Sequence, residues 1–576
     1  MIAVLLLTCQ VQAMAAADKL EQLFADERQA LYEFEPVAAT SEEHHQFDGR
    51  LPSVHPKAQQ AWLKRNRDLL SRAQNIDSSG LSHQETISLA LFKFMLESRI
   101  ESLRFREWRL PFNSDSGFFS EALYLAQAHR FKTAEDYRNY LDRLADLPRY
   151  FDEQIGNLRI GLREGFTLPA EVLPGTAKVV AATRFERADA SPFYTPFKAF
   201  PAQIEDEERM QLEAQARRVI EQKVFPAYAK FRRFFADEYS PRARNTLGAS
   251  ELPDGKNYYG YLVRYFTTLP NAQAEDIHQL GLKEVARIRA EMLKVIADAK
   301  FEGDFEAFLS FLRSDPQFYA KRPEDLLAQA AYLSKTIDGE LPKFFHTLPR
   351  TPYTVKPVPE VLAPNYTAGR YNPGPMGAAG EYWVNTYALH TRPFYALPAL
   401  TLHEAVPGHH LQGALARELE DMPKFRLSIY PHAFGEGWAL YGEKLGIEMQ
   451  GVYRSPYEHF GRLSYEMWRA CRLVVDTGIH AKGWSRQQAL DYLKSNTALS
   501  IHEVTTEIDR YISWPGQALA YKVGEIKIVE LRKQAEQTLA EHFDIRNFHH
   551  ALLANGGVTL PILEQEVARM IAEAKR

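Results

Sequence analysis

The chain has 576 residues, 45% of them hydrophobic and 25% charged, with a formal net charge of −5. That is globular composition, with enough material for a large core and for two to four domain-sized lobes. The mild acidity and the lack of a strongly basic stretch argue against a nucleic-acid partner.

The first segment, Met1-Ile2-Ala3-Val4-Leu5-Leu6-Leu7-Thr8-Cys9, is a short apolar run followed by small residues. Val11-Gln12-Ala13 and Ala13-Met14-Ala15 both have the small-x-small form of a cleavage site. Residues 1–17 therefore read as an export signal. Leu6-Leu7-Thr8-Cys9 also has the form of a weak lipoprotein box, so the expectation is an exported protein, periplasmic or lipid-anchored. No later run reaches the length of a membrane span. The two cysteines, Cys9 and Cys471, provide no disulfide framework.

Beyond this segment most of the chain reads as helix. Thr133 has the form of an N-cap, and residues 205–236 carry a helical apolar period. Residues 275–298 place Ile277, Leu280, Val285, Ile288, Met292 and Val295 on one face. Residues 323–346, 486–496 (after the cap Ser485) and 559–574 behave similarly. Breaks fall at 37–57, which holds Asp48-Gly49-Arg50-Leu51-Pro52, at 240–257 and at 347–380. The last break is rich in proline and glycine. It is taken as the boundary between a helical N-terminal lobe, 18–350, and a chemical C-terminal lobe, 351–576. Just after it, Glu381-Tyr382-Trp383-Val384-Asn385-Thr386-Tyr387 reads as a strand, an edge on which an extended peptide could pair.

The chemistry is concentrated in Thr401-Leu402-His403-Glu404-Ala405-Val406-Pro407-Gly408-His409-His410. Neutral imidazoles hold zinc, and a carboxylate beside them takes a proton from bound water. In H-E-x-x-H the two histidines lie one helical turn apart and reach one ion. Here the fifth position is Pro407, and the next histidines stand at offsets six and seven. On an unbroken helix His409 would face away from His403, and His410 would lie about 10.5 Å along the axis. A regular helix fails for either, so the chain must break at Pro407-Gly408 and fold one of them back. Downstream, Phe434-Gly435-Glu436-Gly437-Trp438-Ala439-Leu440-Tyr441 offers an acidic third ligand, with Glu443 two turns on as its rival.

Several separated blocks resemble the bacterial domain-of-unknown-function 885 family, which is grouped with the zincin metallopeptidases. They are His403 to Gln412, Glu436 to Tyr441, Arg472 to His480 and Trp514 to Gly524, with Asp48 to Pro52 also similar. The resemblance covers about residues 25–576 as one continuous family domain. It implies a mainly α, large multi-helix zincin-like fold with a small β-sheet near the metal and a deep cleft. It implies one Zn2+ per chain held by His403, His409 (preferred to His410) and Glu436, with Glu404 as general base. Tyr521 and His480, both in family-like blocks, are the candidate donors to the oxyanion. Arg472 and Asp476, four residues apart, could pair as scaffolding, and Lys522 and Arg370 could hold a substrate carboxylate. The leading expectation is a zinc metallopeptidase acting on a peptide substrate. A metal-dependent hydrolase of non-peptide ester or amide bonds and a non-catalytic binding protein are the alternatives.

Overall fold

The computed structural model describes the backbone of residues 2–576 except 115, 361, 375 and 376. It describes the side chains of residues 16–576 except those four and 365. The first helix, Ile2–Phe34, runs through the segment expected as an export signal. The side chains of that segment, with the Cys9 lipoprotein box, lie outside the described ones. Among the described residues the fold is mainly helical, as the apolar periods predict, with a small three-stranded sheet, as the family resemblance implies. Among the described residues no helix is long and apolar enough to cross a membrane.

Two compact units form, residues 1–247 with 251–254, and residues 248–250 with 255–576. The division falls inside the break at 240–257, while the break at 347–380 lies within the second unit and supplies strands to its sheet.

In the first unit, helix Ala134–Ala145 starts where its cap predicts. Thr133 Oγ1 accepts the Asp136 amide, and the Asp136 carboxylate accepts the Thr133 amide at 2.7 Å. Residues 205–236 do not form one helix. Asp206–Val219 passes through a π turn, Ile220–Val224, into Phe225–Phe234. The cause is Pro226, which has no amide to donate and whose ring crowds the carbonyl a turn before it. Arg143 is fully buried and donates to the carbonyls of Phe47 and Arg50 and to Thr40 Oγ1, which fixes the Asp48–Pro52 turn from within. Burial pulls its guanidinium down to about 10.

The second unit is built on α1 (Ala274–Asp298), β1 (Tyr353–Pro357), β2 (Gly369–Asn372), β3 (Gly380–Val384), α2 (Leu397–Glu404), α3 (His409–Arg417), α4 (His432–Leu445), α5 (Pro456–Lys482), α6 (Ile501–Ser513) and α7 (Ala520–Leu539). The α1 face bearing Ile277, Val285, Ile288, Met292 and Val295 is buried as its spacing requires, while Leu280 is only part-buried. Every α5 residue from Phe460 to His480 is buried, so its polar side chains must find partners inside the unit. Where α4 crosses α7, a Cβ on Gly524 would stand 1.7 Å from the Ala433 carbonyl oxygen, and one on Gly437 would stand 2.5 Å from Gly524 Cα. Only glycine lets these backbones meet.

The strand order is β1-β3-β2, with β3 parallel to β1 and antiparallel to β2. This corrects one expectation. The strand after the proline-rich break is the central one, and both its edges are occupied. The edge strand beside the His403 helix is β2, whose Tyr371 amide donates to Glu404 Oε2 at 2.8 Å.

Candidate metal centre

The α2 helix ends at Glu404, and Ala405 leaves helical geometry at φ −96°, ψ −105°. The four residues that follow form a tight reversal. The Gly408 amide donates back to the Leu402 carbonyl at 2.9 Å, and the His410 amide to the Ala405 carbonyl at 3.1 Å. The indole of Trp438 on α4 donates to the Pro407 carbonyl at 2.7 Å, which ties the reversal to the helix that carries Glu436. A Cβ at Gly408 would lie 1.9 Å from the His403 carbonyl oxygen, so no other residue fits there.

The reversal starts α3 at His409 and turns its ring back toward His403, with ring centroids 4.8 Å apart and planes at 87°. Glu436 completes the group. Its Oε2 lies 3.5 Å from His409 Nε2 and 3.8 Å from His403 Nε2. One ligand atom from each of the three falls within 4.8 Å of the others. Zinc bonds of about 2.0–2.2 Å set tetrahedral ligand atoms roughly 3.3–3.5 Å apart; the two Glu436 distances are near that, and the widest separation, up to 4.8 Å, would have to close by about an ångström for the three to share one small cation.

The second acidic candidate, Glu443, has a different place. Its Oε1 accepts from His403 Nδ1 at 2.8 Å and lies 3.3 Å from Arg469. A proton on Nδ1 leaves Nε2 as the lone-pair nitrogen facing Glu436, the arrangement by which a carboxylate orients a ligating histidine. Burial by itself would lower His403, but Glu436 and Glu443 outweigh it and raise it to about 9. Burial would raise Glu436, and the two histidines instead hold it well below the usual carboxylate range. The group thus favours positive charge at its centre.

His410 turns the other way. Its Nδ1 meets the Tyr371 hydroxyl at 3.1 Å, and its ring lies 4.6 Å from that of Tyr353, among residues of the sheet. Burial lowers it to about 4. Glu404 is buried beside His403, with Oε2 anchored on β2.

Of the two expected donors, Tyr521 stands near the group, its ring nearly parallel to that of His403 at 6.4 Å. His480 cannot serve as proposed from sequence. Its Nδ1 accepts the Ala249 amide at 3.0 Å, and its Nε2 faces the Tyr511 carbonyl at 2.9 Å, so both ring nitrogens hold backbone together. The Arg472–Asp476 pair does not form either. Arg472 binds Glu507 and the Tyr511 hydroxyl, and Asp476 takes the Tyr259 hydroxyl and the Gly516 amide. Lys522 is fully buried on Glu466, Glu525 and Glu284, out of reach of a substrate carboxylate. Arg370 is exposed, its guanidinium 5.2 Å from the Tyr366 ring centroid.

Sequence reasoning missed Tyr430. A side chain at Gly435 would meet its hydroxyl at 2.3 Å, which places the phenol end at the start of α4 beside Glu436 while the ring stays half-exposed. Desolvation at that end, then the Glu436 carboxylate, hold the phenol well above its ordinary range. The available signal was Tyr430-Pro431, a donor immediately before the helix that carries Glu436.

The chain belongs to a family of bacterial proteins of unknown function, DUF885, whose model matches residues 36–567. Among solved structures it is similar to one described as a "putative lipoprotein" from Colwellia psychrerythraea, at 26% identity over 97% of this chain and 99% of that one, with a TM-score of 0.89. A second, described as a "putative lipoprotein of unknown function" from Shewanella oneidensis, shares the fold at 18% identity over 95% and 99% of the two chains, with a TM-score of 0.72. No curated protein matches the chain.

Proposed function

We propose that this protein is a zinc-dependent hydrolase on a zincin-like fold, cleaving peptide bonds in a cleft at the His403–His409–Glu436 group. The observation that carries this reading is the reversal at 405–408, which sets His409 against His403 and Glu436 and leaves Glu404 beside them. A zinc ion bound there supplies a Lewis acid for the scissile carbonyl and lowers the pKa of a water ligand.

The chain's own groups do the rest. Glu404 is held by the Tyr371 amide at Oε2, which leaves Oε1 to take the proton of the attacking water and pass it to the leaving amine. Tyr430 and Tyr521 are the hydroxyls near the group that can donate to an oxyanion. Glu443 holds the His403 tautomer. β2, the edge strand beside Glu404, is where an extended substrate would lie. Export, with a lipid at Cys9, belongs to the same proposal. It is supported by the Leu6–Cys9 sequence and by the lipoprotein description of both structural relatives.

The test is metal analysis of the purified protein beside Glu404→Gln and Glu436→Gln, followed by a peptide-library digest. One zinc per chain in wild type and Glu404→Gln, loss in Glu436→Gln, and peptide cleavage only by wild type are expected. A protein that takes up no zinc in any form, or a Glu404→Gln variant that cleaves as wild type does, overturns the reading. Turnover of esters but not peptides moves it to the other hydrolase class.

A further inference from the structure

The second unit also holds a cavity of about 380 Å³ bounded by the start of α2, the Gly461–Tyr465 stretch of α5 and the start of α6. None of His403, Glu404, His409 and Glu436 lines it. Its walls are largely apolar, with Leu326, Val384, Leu397, Leu400, Leu499 and the Tyr465 ring. His390, Ile501 and His502 are exposed at its rim, so it can be reached from solvent.

Arg392 and Glu503 line this apolar space, and among the described residues neither is in an ion pair. Arg392 is 8% exposed, and among the described residues its guanidinium makes one long hydrogen bond, 3.5 Å to the Tyr366 carbonyl. Its Nε has none, and Glu503 Oε1 is likewise buried with none. Burial raises the Glu503 carboxyl and the Arg392 charge opposes that rise, yet the two form no ion pair. Three other cations of the unit have close partners. Arg472 sits on Glu507, Lys522 on Glu466, and Arg313, in the same cavity wall, on three carbonyls. Unpaired buried charges are costly, and a ligand that brings the missing partners explains their retention. A positive and a negative group in one apolar chamber call for a zwitterion with apolar side chains. At about 30 Å³ per water the chamber has room for roughly a dozen waters, more than one amino acid fills and suited to two residues.

We propose that this cavity binds a free apolar dipeptide, with its carboxylate on Arg392, its ammonium on Glu503 and its side chains against the leucine wall. The same chemistry serves a dipeptide taken from solution and one released by hydrolysis.

The test is calorimetric titration of full-length Glu404→Gln protein, in which the probe is not consumed, with Leu-Leu, N-acetyl-Leu-Leu and Leu-Leu-amide. Leu-Leu is expected to bind once per chain, and each blocked form at least ten-fold more weakly. Arg392→Met should abolish the preference for Leu-Leu over its amide, and Glu503→Gln the preference over its acetyl form, while both variants keep wild-type melting temperature and zinc content. Single-function loss of this kind separates binding from misfolding. Equal binding of the three probes, undiminished Leu-Leu binding in both variants, or loss of binding in His409→Ala overturns the proposal. Tetraleucine given to wild type separates the sources. Leu-Leu retained after gel filtration marks a hydrolysis product, and retention only of added Leu-Leu marks uptake from solution; either outcome supports the site.

Discussion

His409 and His410 are adjacent and carry the same side chain, yet one meets Glu436 and the other the hydroxyl of Tyr371. Their substitutions should therefore separate. His409→Ala is expected to lower zinc affinity by at least two orders of magnitude, since a ligand is lost, while His410→Ala leaves zinc content unchanged. Inductively coupled plasma analysis of both proteins decides it. Glu443→Gln removes the charge that orients His403 but no ligand, so affinity should fall by about 10–100-fold with the fold intact. Competition with a chelating dye measures that drop. His403, Glu404 and Glu436 were legible because short motifs name them. The choice between the two later histidines was not, because it depends on dihedral angles at 405–408 that no helical period encodes. The role given to His480 failed for a related reason. A histidine in a family-like block looks available until the backbone groups that fill both its nitrogens are seen.

At the level of elements, the α2–α3 reversal is the device that makes the group. Gly408→Ala forces a methyl onto the His403 carbonyl oxygen, 1.9 Å away, and should dismantle the reversal. The expected result is loss of zinc together with a destabilisation of about 3 kcal/mol, the upper end for forcing extra atoms into a filled site. Urea unfolding and zinc content, read together, check it; a stable, zinc-loaded Gly408→Ala protein would contradict the geometry. Proline and glycine at 407–408 signalled the break, but not its direction. The strand at β3 was legible from its aromatic and β-branched residues. Its central position was not, because sheet order depends on β1 and β2, which come from the segment that looked like a linker.

In the second unit as a whole, α5 joins the chemistry to the core. Lys522, Glu466, Glu525 and Glu284 form a buried ionic cluster that also takes in Arg287 and Arg462. Lys522→Met leaves carboxylates uncompensated and should cost about 3–5 kcal/mol, seen as a fall in melting temperature. A rise in KM without loss of stability would instead return Lys522 to a substrate role. Asp476, buried on Tyr259 and Gly516, is raised to about 7 by its burial. A folded-state value above the unfolded one means the folded protein binds the extra proton. Stability from this group is therefore complete below about pH 4 and is lost as pH rises through about 7. Unfolding of Asp476→Asn across that window should show a shallower decline than wild type.

The sequence by itself determined the helical class, the caps at Thr133 and Ser485, the acidic helix at Glu436 and the His403–Glu404 pair. Each of these rests on interactions a few residues apart, which local spacing records. Only the tertiary structure decided which histidine joins His403, that Glu443 holds its tautomer, that Tyr430 reaches Glu436, and that Arg392 and Glu503 share a chamber without pairing. The first and third depend on backbone turns at 405–408 and 430–432 that no regular period records, and the other two join residues 40 and 111 positions apart in sequence. They meet because burying the apolar faces around α5 and crossing α4 with α7 at Gly437 and Gly524 leaves their backbones no other course.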